Sequence, residues 1–125
     1  MASERFEQGL SVRRRVLGDD YVDRALREAD DFSRPLQELV TEVAWGTVWT
    51  RPGLSLRDRS LVTVAALTAL GRIHELKIHI GAALRNGVTR EELREVFLHL
   101  GIYAGMPAAV EAFRTAREVF QEGSR

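Results

Sequence analysis

Apolar positions recur at intervals of three and four residues through nearly the whole chain, the spacing of helices that each bury one face. Residues 4–17 place Phe6, Leu10, Val12 and Val16 near one face, and Gly18 acts as a stop. Asp19 or Asp20 can cap a second helix carrying Tyr21, Val22, Ala25 and Leu26. Ser33 caps a third, with Pro35 tolerated in its first turn. That helix carries Leu36, Leu39, Val40, Val43 and Ala44, with Trp45 and Trp49 stacked four apart. Thr50-Arg51-Pro52-Gly53 reads as a turn, in which Pro presets φ and Gly53 takes the left-handed position. Ser55 and Asp58 then open the next helix in the manner of a capping box.

Residues 61–70 are apolar almost all round, which predicts a central helix covered by several neighbours. Gly71 breaks or bends the chain, and Asn86-Gly87 closes the following helix with left-handed residues. Thr89 and Glu92 form a capping box for a helix carrying Leu93, Val96, Phe97, Leu100 and Ala104. Leu98, Ile102 and Tyr103 lie on its other faces, more apolar surface than one small bundle needs, so a subunit interface is expected. Gly105-Met106-Pro107 ends that helix and starts a last one with Val110, Phe113, Ala116, Val119 and Phe120. Neither strands nor repeats are indicated. The pattern predicts an all-α, oligomeric bundle of six to seven helices, with residues 1–125 as one domain.

Composition narrows the class. The 125 residues hold 18 Lys and Arg against 18 Asp and Glu, so no basic excess points to nucleic acid or an anionic membrane. Cysteine is absent, which removes disulfides, thiolate metal sites and thiol redox chemistry. The longest apolar run is too short to span a bilayer, and Met1-Ala2-Ser3-Glu4-Arg5 has no apolar signal core. A soluble cytoplasmic protein is the expectation. Arg13-Arg14-Arg15 looks basic, but a helix splays three consecutive residues over more than half its circumference, so these read as a solvated face.

The stretch Gly71-Arg72-Ile73-His74-Glu75-Leu76-Lys77-Ile78-His79 is where chemistry is expected. Continued as one helix, it puts Arg72, Glu75 and His79 within an arc roughly 60° wide, among residues that should be buried. Ionisable groups there must pair, meet water or work. An Arg-Glu-His strut between helices is the competing account. His74 and Lys77 fall on the solvent side. Glu75 and His79 have the i, i+4 spacing of metal ligands, but the third would have to be His99 or another carboxylate, and Arg72 opposes a cation. No metal is expected, and His99 reads as structural or interfacial. Arg51, held by the turn, can present a planar fork to a carboxylate, with Trp45 and Trp49 just before it.

Several of these stretches carry a resemblance. Val12-Arg13-Arg14-Arg15-Val16-Leu17-Gly18-Asp19, Ala44-Trp45-Gly46 through Trp49-Thr50-Arg51-Pro52-Gly53-Leu54, Arg59-Ser60-Leu61, Glu75-Leu76-Lys77 with His79, and Asn86-Gly87-Val88-Thr89-Arg90-Glu91-Glu92 resemble the 4-carboxymuconolactone decarboxylase family. They run in order over nearly the whole chain. The wider superfamily includes AhpD-like alkylhydroperoxidases with a Cys-x-x-Cys-x-x-x-His motif. Aligned on His79, this chain has Arg72 and Glu75 where those thiols stand, so thiol peroxidase chemistry is ruled out while polar groups keep the same three positions.

The resemblance implies an AhpD-like fold and cofactor-independent conversion of 4-carboxymuconolactone to 3-oxoadipate enol-lactone and CO₂, in the protocatechuate branch of the β-ketoadipate pathway. It implies catalytic roles for His79, Glu75 and Arg72, substrate binding by Arg51, Trp45 and Trp49, and a homohexamer with its site between subunits. The substrate would be a dicarboxylate lactone. Two alternatives stay open: a non-catalytic helical scaffold or binding oligomer, and a related decarboxylase or isomerase acting on another lactone.

Overall fold

The computed structural model describes residues 3–123, so Met1 and Ala2 of the opening segment lie outside the described residues. Seven α-helices and one π-helical segment follow in order, and no strand occurs among the described residues. They are α1 (Glu4–Leu17), α2 (Asp19–Glu28), α3 (Arg34–Leu39), the π-helical segment Val40–Val48, α4 (Leu56–Leu70), α5 (Ile73–Arg85), α6 (Arg90–Tyr103) and α7 (Met106–Gly123). The all-α reading holds. The chain divides between Ser55 and Leu56 into two compact units.

In the first unit, α1 lies against the π-helical segment. Two glycines set how closely. A Cβ on Gly9 would stand 2.0 Å from the Thr41 carbonyl oxygen, and one on Gly46 would stand 2.2 Å from the Arg5 carbonyl oxygen. Only hydrogen fits at this crossing. Ser3 caps α1, its hydroxyl accepting from the Phe6 N–H at 3.1 Å, and Gly18 ends the helix at φ 92°. Asp19 and Asp20 stand inside the first turn of α2 rather than capping it, because Gly18 occupies the cap position. Ser33 does precede α3, yet its hydroxyl donates to Asp30 Oδ1 instead of accepting from the helix. The helix then widens: the Trp49 N–H donates to Ala44 O, five residues back, at 3.0 Å. Sequence period alone gives no warning of this segment.

The buried stripe of α1 is Gly9, Arg13, Val16 and Leu17. Arg13 corrects the solvated reading of the three arginines. It is 5% exposed, donates from Nη1 to Gln37 Oε1 at 3.0 Å and to Thr41 Oγ1 at 3.1 Å, and burial lowers its pKa. The reason is phase: Arg13 comes four residues after Gly9 and three before Val16, on the face pressed against the π-helical segment.

In the second unit, α4 packs on α5, α6 and α7, around a core that includes Val64, Leu76, Ile80, Leu93, Phe97 and Ala112. Helix α4 is less enclosed than its composition suggests. Its buried line is Ser60, Val64 and Thr68, while Val62 and Leu70 are exposed. Polar ties pin the outer helices. Asn86 Nδ2 donates to Ser60 Oγ at 2.9 Å, Arg57 pairs with Glu92, and Lys77 bridges to Glu122 at 2.8 Å and Glu118 at 3.6 Å. Thr89 and Glu92 form the expected capping box. Gly71, Gly87 and Gly105 all have positive φ, but Asn86 (φ −85°) and Gly53 do not, so two expected left-handed positions fall away. Leu98, Ile102 and Tyr103 are exposed, as their helical angles predict.

Candidate active site

The end of α4 builds the first part of the site. Gly71, at φ 72°, closes α4 with its N–H on Thr68 O at 3.2 Å, and the next N–H, that of Arg72, reaches Leu67 O at 3.0 Å. This pair of bonds is the Schellman closure, which needs a left-handed residue at Gly71's place. Arg72 then serves the next helix as well, its carbonyl accepting from the Leu76 N–H at 2.8 Å. The backbone of Arg72 is thus held at both ends, by α4 behind it and α5 ahead.

Arg72 therefore precedes α5, with φ −88° and ψ 76°, and does not continue its helical arc. Arg72 and Glu75 are exposed, whereas the single-arc reading put both in a buried face. The cause is the break at Gly71, which separates Arg72 from the helical phase of Glu75 and His79. Those two keep the predicted relation, one turn apart at the rim of the face formed by Leu76, Ile80, Ala82 and Ala83. His79 is half-buried. Burial lowers its pKa below the ordinary imidazole value, and the Glu75 carboxylate pulls it back up. A neutral imidazole that a nearby anion can charge is suited to moving a proton near neutral pH. His74 is exposed, and His99 is exposed and stacked on Tyr103 at 4.9 Å between ring centroids. No cluster of three or more His, Asp or Glu suited to a metal ion occurs among the described residues.

The first unit supplies the other three named residues. Trp45 is buried and Trp49 half-buried, with ring centroids 4.7 Å apart and planes 30° from parallel. Both are packed side chains, and the π-helical segment orients them. Arg51 is exposed, and its N–H donates to Val48 O at 3.1 Å in the turn that ends the segment. A fixed backbone and an exposed guanidinium suit the capture of an anion.

Residues 34–118 match the carboxymuconolactone decarboxylase family, a span that runs from α3 to α7 and takes in all six residues. The chain belongs to this family. It is similar to 4-carboxymuconolactone decarboxylase of Acinetobacter baylyi, 49% identical over 119 residues, which is 95% of this chain and 89% of that protein. It is similar also to nitrosuccinic acid decarboxylase of Metarhizium robertsii, 45% identical over 117 residues, 94% of this chain and 82% of that one. The family membership expected from the motifs is therefore established. Residues 1–33 lie outside the family match, so Arg13, buried against the segment that bears Trp45, belongs to the surrounding architecture.

Proposed function

We propose that the chain is a carboxy-lyase that removes CO₂ from 4-carboxymuconolactone without a cofactor, releasing 3-oxoadipate enol-lactone. The observation that carries this is the 49% identity to a 4-carboxymuconolactone decarboxylase over 95% of the chain. The chemistry agrees with the residues. The leaving carboxylate is attached γ to a conjugated lactone carbonyl, so its bonding electrons flow into that carbonyl as a dienolate, and no external electron sink is required. The protein must hold two carboxylates, stabilise the enolate oxygen and deliver a proton to carbon. Arg51 and Arg72 are the proposed contacts for carboxylate and developing oxyanion. His79 is the proposed proton donor. It is neutral in the free protein at pH 7 because burial lowers its pKa, and the substrate's negative charges, added to that of Glu75, would favour the imidazolium at the moment it is needed. Trp45 and Trp49 would supply the rigid aromatic wall behind the ring.

The 45% identity to a nitrosuccinic acid decarboxylase favours a second reading of the same site. Nitrosuccinate is also a dicarboxylate with its own electron acceptor, since a carboxyl group beside a nitro group can leave its electrons in a nitronate. The two readings share the arginines and the proton donor and differ in the shape of the acceptor. Parallel assays separate them: absorbance loss of enzymatically made 4-carboxymuconolactone, and CO₂ release from nitrosuccinate, with purified protein in chelator. Turnover of the lactone alone supports the first reading. Turnover of nitrosuccinate alone replaces it, and turnover of neither refutes both.

A further inference from the structure

A cavity of about 210 Å³ opens between α6 and α7, and none of its lining comes from α5. Its floor is apolar: Leu93 and Phe97 are each 1% exposed, and Phe97 meets Phe113 edge-on at 5.7 Å. Its rim is cationic. Arg90 and Arg94, one helical turn apart on α6, face Arg117 of α7 across the opening. Among the described residues no carboxylate pairs with Arg90 or Arg117, and Arg94 reaches only its neighbour Glu95, at 3.4 Å. The Arg90 guanidinium lies over the Phe120 ring, 4.3 Å from its centroid. A guanidinium stacked in this way keeps its N–H edges free for an anion while the ring fixes its plane. Like charges gathered around a hollow repel one another, so the arrangement is stabilised by an anion that enters it.

We propose that this cavity is a second ligand site, separate from the Arg72-Glu75-His79 site, for a small organic carboxylate with a flat apolar body. The volume accepts one substituted ring. The apolar floor distinguishes such a ligand from inorganic phosphate or sulfate, which would leave Leu93 and Phe97 uncovered. The arginine rim distinguishes it from a neutral ring. An aromatic or unsaturated ring acid satisfies both, ring on the floor and carboxylate between Arg90 and Arg117. The inference does not depend on which substrate is decarboxylated.

The test uses benzoate as probe, followed by titration calorimetry and saturation-transfer NMR on the intact protein. Benzoate should bind with a dissociation constant on the order of 1 mM or below. Benzyl alcohol, which has the ring without the charge, should bind at least about tenfold more weakly, and inorganic phosphate at the same concentration should not displace benzoate. The double variant Arg90→Ala/Arg117→Ala changes two exposed side chains and should fold, as circular dichroism would verify. It should weaken benzoate binding at least about tenfold, while His79→Gln leaves it within about twofold. Absence of benzoate binding at 10 mM (roughly ten times the expected constant) overturns the proposal. So does benzoate binding that survives the double variant, or that disappears in His79→Gln, since either puts the acid elsewhere. Equal binding of benzyl alcohol removes the role of the arginine rim and overturns it as well.

Discussion

Gly9 and Gly81 both sit inside helices, yet replacing each with alanine should move stability in opposite directions. In either helix alanine gains about 1 kcal/mol over glycine from backbone entropy. At Gly81 in α5 the added Cβ meets nothing within 4 Å, so that gain should appear almost undiminished. At Gly9 the Cβ would lie 2.0 Å from the Thr41 carbonyl oxygen, 2.7 Å from the Gly46 nitrogen and 2.9 Å from its Cα. All three atoms are backbone, so no side chain can turn aside. Real Cβ contacts stay beyond 3.0 Å, so α1 and the π-helical segment must part by about 1 Å. Overpacking of this kind costs about 3 kcal/mol, and the helical gain offsets about 1 of it. The net loss of about 2 kcal/mol corresponds to a Tm roughly 8 °C lower, against a rise of about 4 °C for Gly81→Ala. Thermal unfolding followed by circular dichroism reads both. A Gly9→Ala chain as stable as the parent would refute the close crossing, and a Gly81→Ala chain less stable than the parent would refute the open surroundings of α5.

If His79 is the proton donor, His79→Gln should lower kcat and kcat/KM together by roughly 10²–10⁴-fold, with the fold intact, while His74→Gln changes little. The reverse pattern would remove His79 from the chemistry. Arg51→Ala should chiefly raise KM, by roughly thirtyfold, if it grips a carboxylate equally in ground and transition states; a fall confined to kcat would contradict that role. Activity should survive dialysis against EDTA, and loss restored by a divalent metal would overturn the organic mechanism. Because burial lowers the pKa of His79, the unfolded chain takes up this proton first, so its contribution to folding stability is lost as pH falls below about 6.5. Denaturant midpoints at pH 7.5 and 5.5 should show that this acid sensitivity shrinks in His79→Gln. The proposed homo-oligomer, a hexamer on the family's pattern, should appear in light scattering at micromolar concentration, and a monomeric mass would end it.

Helix boundaries were the most legible feature of the sequence, because they are set by local chemistry. Gly18, Gly71, Thr89 with Glu92, and Gly105 each mark a terminus where the structure has one. Family and fold class were legible for a related reason: the motifs hold several uncommon residues in fixed order. What periodicity misjudged was phase across a break. Arg72 was assigned to a helical arc that Gly71 interrupts, and Arg13 was assigned to solvent although the Gly9 stripe runs through it. The π-helical segment escaped for a different reason. A change from four-residue to five-residue hydrogen bonding leaves composition untouched, and the spacing of Trp45 and Trp49 suits either winding. The cationic cavity also escaped, since Arg90 and Arg117 are distant in sequence and meet only when α6 and α7 pair.

The wide winding of Val40–Val48 makes that segment a length-sensitive joint. Tightening it to ordinary α geometry needs fewer residues per turn, so a shortened chain could still form a continuous helix there. Each residue lost would swing everything that follows by about 100° around the axis. Trp49 and Arg51 would then point elsewhere while the helix remained intact. Evolution could use such deletions to redirect this wall and its arginine without redesigning a core, and an engineer seeking altered selectivity could start with one-residue deletions between Val40 and Val48.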